Sequence, residues 1–221
     1  ALANKIPSIV NILYPAFNLA WTDSATRSVN DPDSSKYYNR MFRMLFCIVS
    51  AGTVLLLATS PIIFNILCRN KSLYAAFNYT PILIIATYFY CFSQFFGSIY
   101  VAKKSAKNMS ITTTMAAIIN IVINLILIQV IGVLAAVLST LIANLFLAGY
   151  RFIDLNRKYC RLRINKRLTI LSIVIILIIS LLAYCNDPIL LVLNIVLALG
   201  YAYFISGDIF ITMVKSFIKK R

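Results

Sequence analysis

Apolar residues fall into seven long runs separated by short polar stretches, at roughly 1–21, 41–63, 81–102, 109–130, 132–152, 168–185 and 189–207. Most approach the ~20 residues that a helix needs to cross the hydrocarbon of a bilayer. Only helices or closed barrels satisfy their backbone groups there, and runs of this length are helical. The pattern predicts an all-α fold: a polytopic membrane helical bundle of about seven transmembrane helices.

The runs differ in where their polar residues recur. In the first, Asn4, Ser8, Asn11, Pro15, Asn18 and Thr22 follow one another at steps of four and three. At 100° per residue they form one stripe along the helix. A polar stripe is costly against hydrocarbon, so it faces other helices or lines a water-filled cavity. Pro15 removes a backbone donor and is a candidate kink. Lys5 lies on the shoulder of the stripe and has two readings. It snorkels to the surface if the helix begins near Ala1, and it is an intramembrane cation in need of an anion if the helix continues.

The second run is plain and ends near Pro61, followed by a short amphipathic segment to Cys68. The third is aromatic and collects Thr87, Tyr90, Cys91, Gln94 and Ser98 on one face. The fourth aligns Thr113, Ala117, Asn120 and Asn124, and the fifth Ala136, Thr140 and Asn144, across a tight turn at Gly132. Small residues and amides suit close helix contact in lipid, so these two runs are expected to form an antiparallel hairpin. The sixth and seventh are almost wholly aliphatic, which predicts lipid-exposed helices at the periphery.

Charge changes the picture in one respect. Eighteen of the 21 Lys and Arg fall in the first, third and fifth connections and the C-terminal tail, Arg151 being counted with the fifth. The alternate connections hold only Arg69 and Lys71. This is the positive-inside pattern, and it places the tail in the cytoplasm. The net charge of +15 is therefore distributed as topology signals that meet anionic headgroups, with no solvated domain between runs to bind nucleic acid. Five scattered cysteines and no histidine give no metal or cofactor pattern. Glu is absent, and the six Asp lie in connections or near the ends of runs. With no initiator Met or basic leader, the sequence is expected to be the C-terminal part of a longer membrane protein. Three regions are expected: core spans over 1–153, a basic cytoplasmic loop over 154–167, and two peripheral spans with a basic tail over 168–221.

The segments Ala3-Asn4-Lys5-Ile6-Pro7 and Phe17-Asn18-Leu19-Ala20-Trp21 resemble a stretch recurrent in bacterial polysaccharide-unit flippases. These belong to the superfamily that also holds the multidrug and toxic compound extrusion antiporters. Gly97-Ser98-Ile99-Tyr100, Lys103-Lys104, Ile119-Asn120, Asn124-Leu125 and the stretch from Gly132 to Thr140 are similar to the same family. Gln129 stands where the family often has Pro, and Ala135 where it often has a second Gly.

The resemblance implies the second half of a two-bundle, V-shaped transporter of the bacterial inner membrane, not an enzyme. Such a protein flips an undecaprenyl-diphosphate-linked oligosaccharide by alternating access, for O-antigen, capsule or exopolysaccharide synthesis, beside polysaccharide polymerases. Lys5 would meet a phosphate or acidic sugar, Asn4, Asn11, Asn18 and Trp21 the glycan, and Arg27 either the incoming diphosphate or only the topology requirement. The rival is a cation-coupled drug antiporter, which would use a buried carboxylate that these spans lack. A glycosyltransferase or polymerase would need acidic metal ligands or a large polar catalytic loop.

Overall fold

Seven α-helices follow one another with short connections: α1 (Lys5–Arg27), α2 (Ser34–Leu67), α3 (Thr80–Ala102), α4 (Ala106–Ile131), α5 (Val133–Lys158), α6 (Lys166–Leu182) and α7 (Pro188–Ile218). The computed structural model describes residues 2–67, 71–185 and 187–218, and no strand occurs among them. Ala1, Cys68, Arg69, Asn70, Asn186, Lys219, Lys220 and Arg221 lie outside the described residues, as do the side chains of residues 2, 71–74 and 208–218, Lys71, Asp208 and Lys215 among them. Among the described residues, five helices are long and apolar enough to span a membrane. The remaining two are α1, whose apolar positions are diluted by its asparagines and prolines, and α6, which has 17 residues. The chain is an all-α membrane bundle.

α3 is its axis. It packs against α1 on one side, α5 on the other and α2 across its face, while α4 leans on α5. Accordingly α3 is mostly buried, whereas only Thr112 and Ala116 of α4 are. α2 in turn carries α6 and α7. The contact between α1, α2 and α3 is aromatic: Trp21 stacks on Phe95 with ring centroids 4.5 Å apart, and Phe42 meets Phe92, Phe95 and Phe96. Lipid is as apolar as these side chains, so it is close packing and ring geometry, at about 0.5–1.5 kcal/mol per aromatic pair, that favour helix contact over lipid contact.

α2 corrects one expectation. It begins seven residues before the expected run and continues through Pro61 to Leu67. Pro61 has no N–H for the carbonyl of Leu57, and Ser60 Oγ donates to that carbonyl at 2.7 Å instead. The freed acceptor is satisfied, so the helix has no reason to stop there. With 34 residues it is about 51 Å long and exceeds the ~30 Å hydrocarbon layer, so its first turns stand in the headgroup region.

The hairpin at Gly132 is present. This residue ends α4 and starts α5 at φ +55°, where a side chain would be strained. Asn120 donates to Thr140 across the pair, and Asn144 donates to the backbone carbonyl of Ala86 in α3. Helices α6 and α7 also depart from a uniformly lipid-facing surface. Each buries one face, where Tyr201 donates to Ser172 and Asn194 to the carbonyl of Ile179, and exposes aliphatic residues on the other.

The expected basic loop is shorter than 154–167. α5 continues to Lys158 and α6 starts at Lys166, so the connection is 159–165. Side-chain hydrogen bonds join the odd connections at one end of the bundle. Lys103 reaches the carbonyl of Val29, Asn108 donates to Tyr159, and Asn39 at the start of α2 is bonded to Arg161 and Arg163. Lys104 closes α3 in the left-handed region, with the Ser105 N–H on the Tyr100 carbonyl and its own on Val101. At the other end Thr80 donates to the carbonyl of Ala3, and Tyr184 to that of Asn78. The alternation of charge in the sequence is thus a basic end and a nearly neutral end in space.

Two cysteines test this arrangement. Cys185 is exposed at the neutral end, and Cys160 lies in the 159–165 connection at the basic end. Burial pushes the Cys160 thiol up to about 11, with Lys103 nearby opposing the shift. An impermeant maleimide is expected to label Cys185 and an introduced Arg161→Cys from opposite sides of sealed membranes. Native Cys160 should react far more slowly than Cys185 at pH 8, and its rate should keep rising as pH approaches its raised pKa, because the thiolate is the reactive form.

Candidate functional site

The site begins with α1, whose polar stripe lies beside its packed edge. Ile6, Tyr14, Trp21 and Ala25 form that edge and are buried. Tyr14 Oη donates to the carbonyl of Cys91 at 2.6 Å, and Trp21 Nε1 to that of Phe95 at 3.2 Å. Both ring substituents find acceptors on α3, which fixes the rotation of α1 about its axis. The stripe is consequently turned away from the core, on the shoulder between α3 and the outside.

The six residues singled out by the sequence divide in two. Asn4, Lys5, Asn11 and Arg27 are exposed, and Asn18 is half-buried. Trp21 is 1% exposed, with Phe95 stacked on one face and Tyr38 edge-on at 5.7 Å. Its ring is part of the packed core in this conformation and has no open face for a ligand. Asn18 belongs to a small polar cluster: Thr22 Oγ1 lies 2.7 Å from Ser98 Oγ, which donates to Asn18 Oδ1 at 3.1 Å. The half of the stripe nearer the basic end therefore makes the interhelical bonds that polar residues in lipid need. The half holding Asn4, Lys5 and Asn11 makes none to another helix among the described residues.

Lys5 stands in the first turn of α1. It has no ion pair among the described residues, and it adds its charge to the positive end of the helix dipole. Neither arrangement stabilises the helix, whereas an anion at this corner would meet both fields. Arg27, at the far end, is already paired with Asp23 at 2.9 Å, an exposed i,i+4 pair worth a few tenths of a kcal/mol. Pro15 is exposed, and α1 is continuous through it.

Sequence reasoning missed the most enclosed charge. Arg151, counted with the fifth connection, lies within α5 and is 1% exposed. Its Nε donates to Thr112 Oγ1, Nη1 to the carbonyl of Ser93, and Nη2 to the carbonyl of Met109 and to Thr113 Oγ1. A single guanidinium thus joins α3, α4 and α5. One turn further along α5, Asp154 accepts from Tyr100 at 2.6 Å and pairs with Lys158 at 2.7 Å. The signal was available: Arg151 sits inside the last turn of the fifth run, Thr112 and Thr113 supply hydroxyls in the fourth, and Gly97 makes room in the third. A Cβ on Gly97 would lie 2.9 Å from Arg151 Nη1.

A cavity of about 490 Å³ opens between α1, α2 and α3, but it contains none of the six residues. Its wall is aliphatic and aromatic apart from Thr53, Thr59, Thr87 and the Tyr and Cys side chains, so it suits hydrocarbon better than a sugar or phosphate. No cluster of three metal-ligating side chains occurs among the described residues.

Trp21 is the chain's one tryptophan, which makes its burial measurable. Its fluorescence is expected to be blue-shifted and barely quenched by aqueous acrylamide, and a red-shifted, quenchable emission would contradict the packed position. Gly97→Ala should displace the Arg151 guanidinium and lower stability by about 1–3 kcal/mol, read as a lower unfolding midpoint in detergent. Compared with family models, curated proteins and solved structures, the chain matches none.

Proposed function

We propose that this bundle is part of a transporter that flips a lipid-linked oligosaccharide across the bacterial inner membrane, with the exposed half of the α1 stripe lining the translocation path. The observation that carries the reading is Lys5, a cation with no ion pair among the described residues, at the positive end of a helix dipole and on the shoulder of the stripe that holds the exposed Asn4 and Asn11. A diphosphate linked to a glycan is the ligand that uses all three: charge for the phosphates, amides for the hydroxyls. The resemblance of the α1 segment to polysaccharide-unit flippases supports the same ligand.

Carrying two phosphates through about 30 Å of hydrocarbon without compensation is prohibitive, so a polar wall on one helix needs a second polar wall opposite. In the two-bundle arrangement that the resemblance implies, that wall belongs to the other bundle, and the site lies between the halves. The basic end would face the cytoplasm, with the C-terminus there, and polysaccharide polymerases would be partners downstream. Transport of this kind makes and breaks no covalent bond, so the reading is of a carrier and not of an enzyme.

The antiporter reading gains little. Its exchange chemistry needs a buried carboxylate free to take a cation, and the one buried carboxylate among the described residues, Asp154, is held by Tyr100 and Lys158 at the basic end.

The test is complementation of a flippase-deleted bacterium by the full-length protein carrying this bundle. Restored surface polysaccharide with loss of accumulated lipid-linked repeat units is expected. Lys5→Ala should cut that restoration severalfold while membrane insertion is unchanged. Wild-type transport by the variant would remove the charge-pairing role, and a drug-resistance phenotype without restored polysaccharide would favour the antiporter.

A further inference from the structure

At the basic end, on the flank away from the α1 stripe, two cavities run into one another. The outer one, of about 420 Å³, lies between the start of α2 and the start of α6 and is lined by Arg40, Arg43 and Arg163 with Asn39 and Asn165. The inner one, of about 170 Å³, continues among Phe89, Phe92, Phe96, Phe152, Leu145 and Ile173. Phe42, Phe46, Ile164 and Thr169 line both. The order follows the helices: α2 enters the bilayer from Arg40 towards Phe46, and α6 from Asn165 towards Ile173, so the arginines stand at headgroup depth and the phenylalanines below them. From Arg40 to Phe46 the rise is about 9 Å.

The mouth is built. Asn39 donates its amide to the carbonyl of Arg161 and accepts the N–H of Arg163, which ties the 159–165 connection to α2 and holds Arg163 beside Arg40. Asn165 caps α6 by accepting from the N–H of Leu168. Topology alone would require cations near this end of the bundle, but not this amide clamp or an aromatic groove leading inward from them. Arg40 and Arg163 carry no ion pair among the described residues.

We propose that this groove binds an anionic phospholipid of the adjacent leaflet, its phosphodiester on Arg40 and Arg163 and the upper part of one acyl chain along the phenylalanines. Planar guanidinium groups match a phosphate oxygen pair, and basic pockets between membrane helices are suited to anionic headgroups. The apolar continuation sets the ligand apart from a free phosphate, which would leave the inner cavity without a use. The inference rests on the membrane bundle alone and stands whatever the α1 stripe carries.

Native mass spectrometry of the full-length protein in detergent, titrated with phosphatidylglycerol or with phosphatidylcholine of the same chains, tests it. Phosphatidylglycerol should be retained in preference to phosphatidylcholine. The double variant R40Q/R163Q should weaken its binding roughly tenfold or more. Gly149 lines the inner cavity, and a Cβ there meets nothing within 4 Å. Gly149→Leu should therefore fill the groove and weaken phosphatidylglycerol binding with every arginine in place, its unfolding midpoint reporting an intact fold. Equal retention of the two lipids, indifference to both variants, or full displacement of phosphatidylglycerol by inorganic phosphate would overturn the proposal.

Discussion

The arrangement of α3, α4 and α5 depends on one guanidinium that must be satisfied out of reach of water. Arg151 directs four donor contacts to two hydroxyls and two backbone carbonyls. In hydrocarbon each unsatisfied polar group costs several kcal/mol, so the rotation and depth of all three helices are constrained together. Gly97 is the corresponding void on α3, and the pair of threonines is the corresponding surface on α4. Hydrophobic burial could not supply such a constraint, because the surrounding lipid offers the same apolar contact.

Polar groups play the same part elsewhere. Tyr14 and Trp21 set α1 against α3 through two backbone carbonyls, Asn144 sets α5 against α3 through a third, and Tyr201 with Asn194 sets α7 against α6. These contacts are individually modest, about 0.6 kcal/mol where they have been isolated in membrane proteins. Their value lies in direction: each permits one rotation of a helix that lipid would allow to turn freely. What then remains exposed on α1 is the open half of its stripe, Asn4 and Asn11, beside the aliphatic Ile12, Leu13 and Leu19.

The number of helices, their order and the contrast between a basic and a nearly neutral end were legible because hydropathy over ~20 residues and loop charge are properties of short windows. The hairpin at Gly132 was legible for a similar reason, from small and amide residues on facing helices. Pro61 misled, since a proline reads as a stop until Ser60 is seen to occupy the orphaned carbonyl. Arg151 misled more seriously, because a cation in the last turn of a run looks like a loop charge and its partners are separated from it by about 40–60 positions. Of the candidate site, the stripe was visible in the periodicity, but its division into a packed half and an open half was not. That division depends on where Ser98 of a different helix falls. Trp21 belonged to the same sequence segment as Asn18, yet it points into the aromatic core.

The Gly132 hairpin has a bearing on how the chain enters its membrane. An α5 segment released alone into lipid would leave the Arg151 guanidinium without its partners, at a cost below the few kcal/mol of a cation at the bilayer centre because the residue stands in the last turns of its span. Paired with α4, it already has Thr112, Thr113 and the Met109 carbonyl as acceptors, lacking only the Ser93 carbonyl of α3. The single-residue turn at Gly132 keeps those acceptors adjacent from the moment both segments have been synthesised. Lateral release is then less costly to the guanidinium for the hairpin as one body than for its second arm by itself, which favours the pair as the biosynthetic unit.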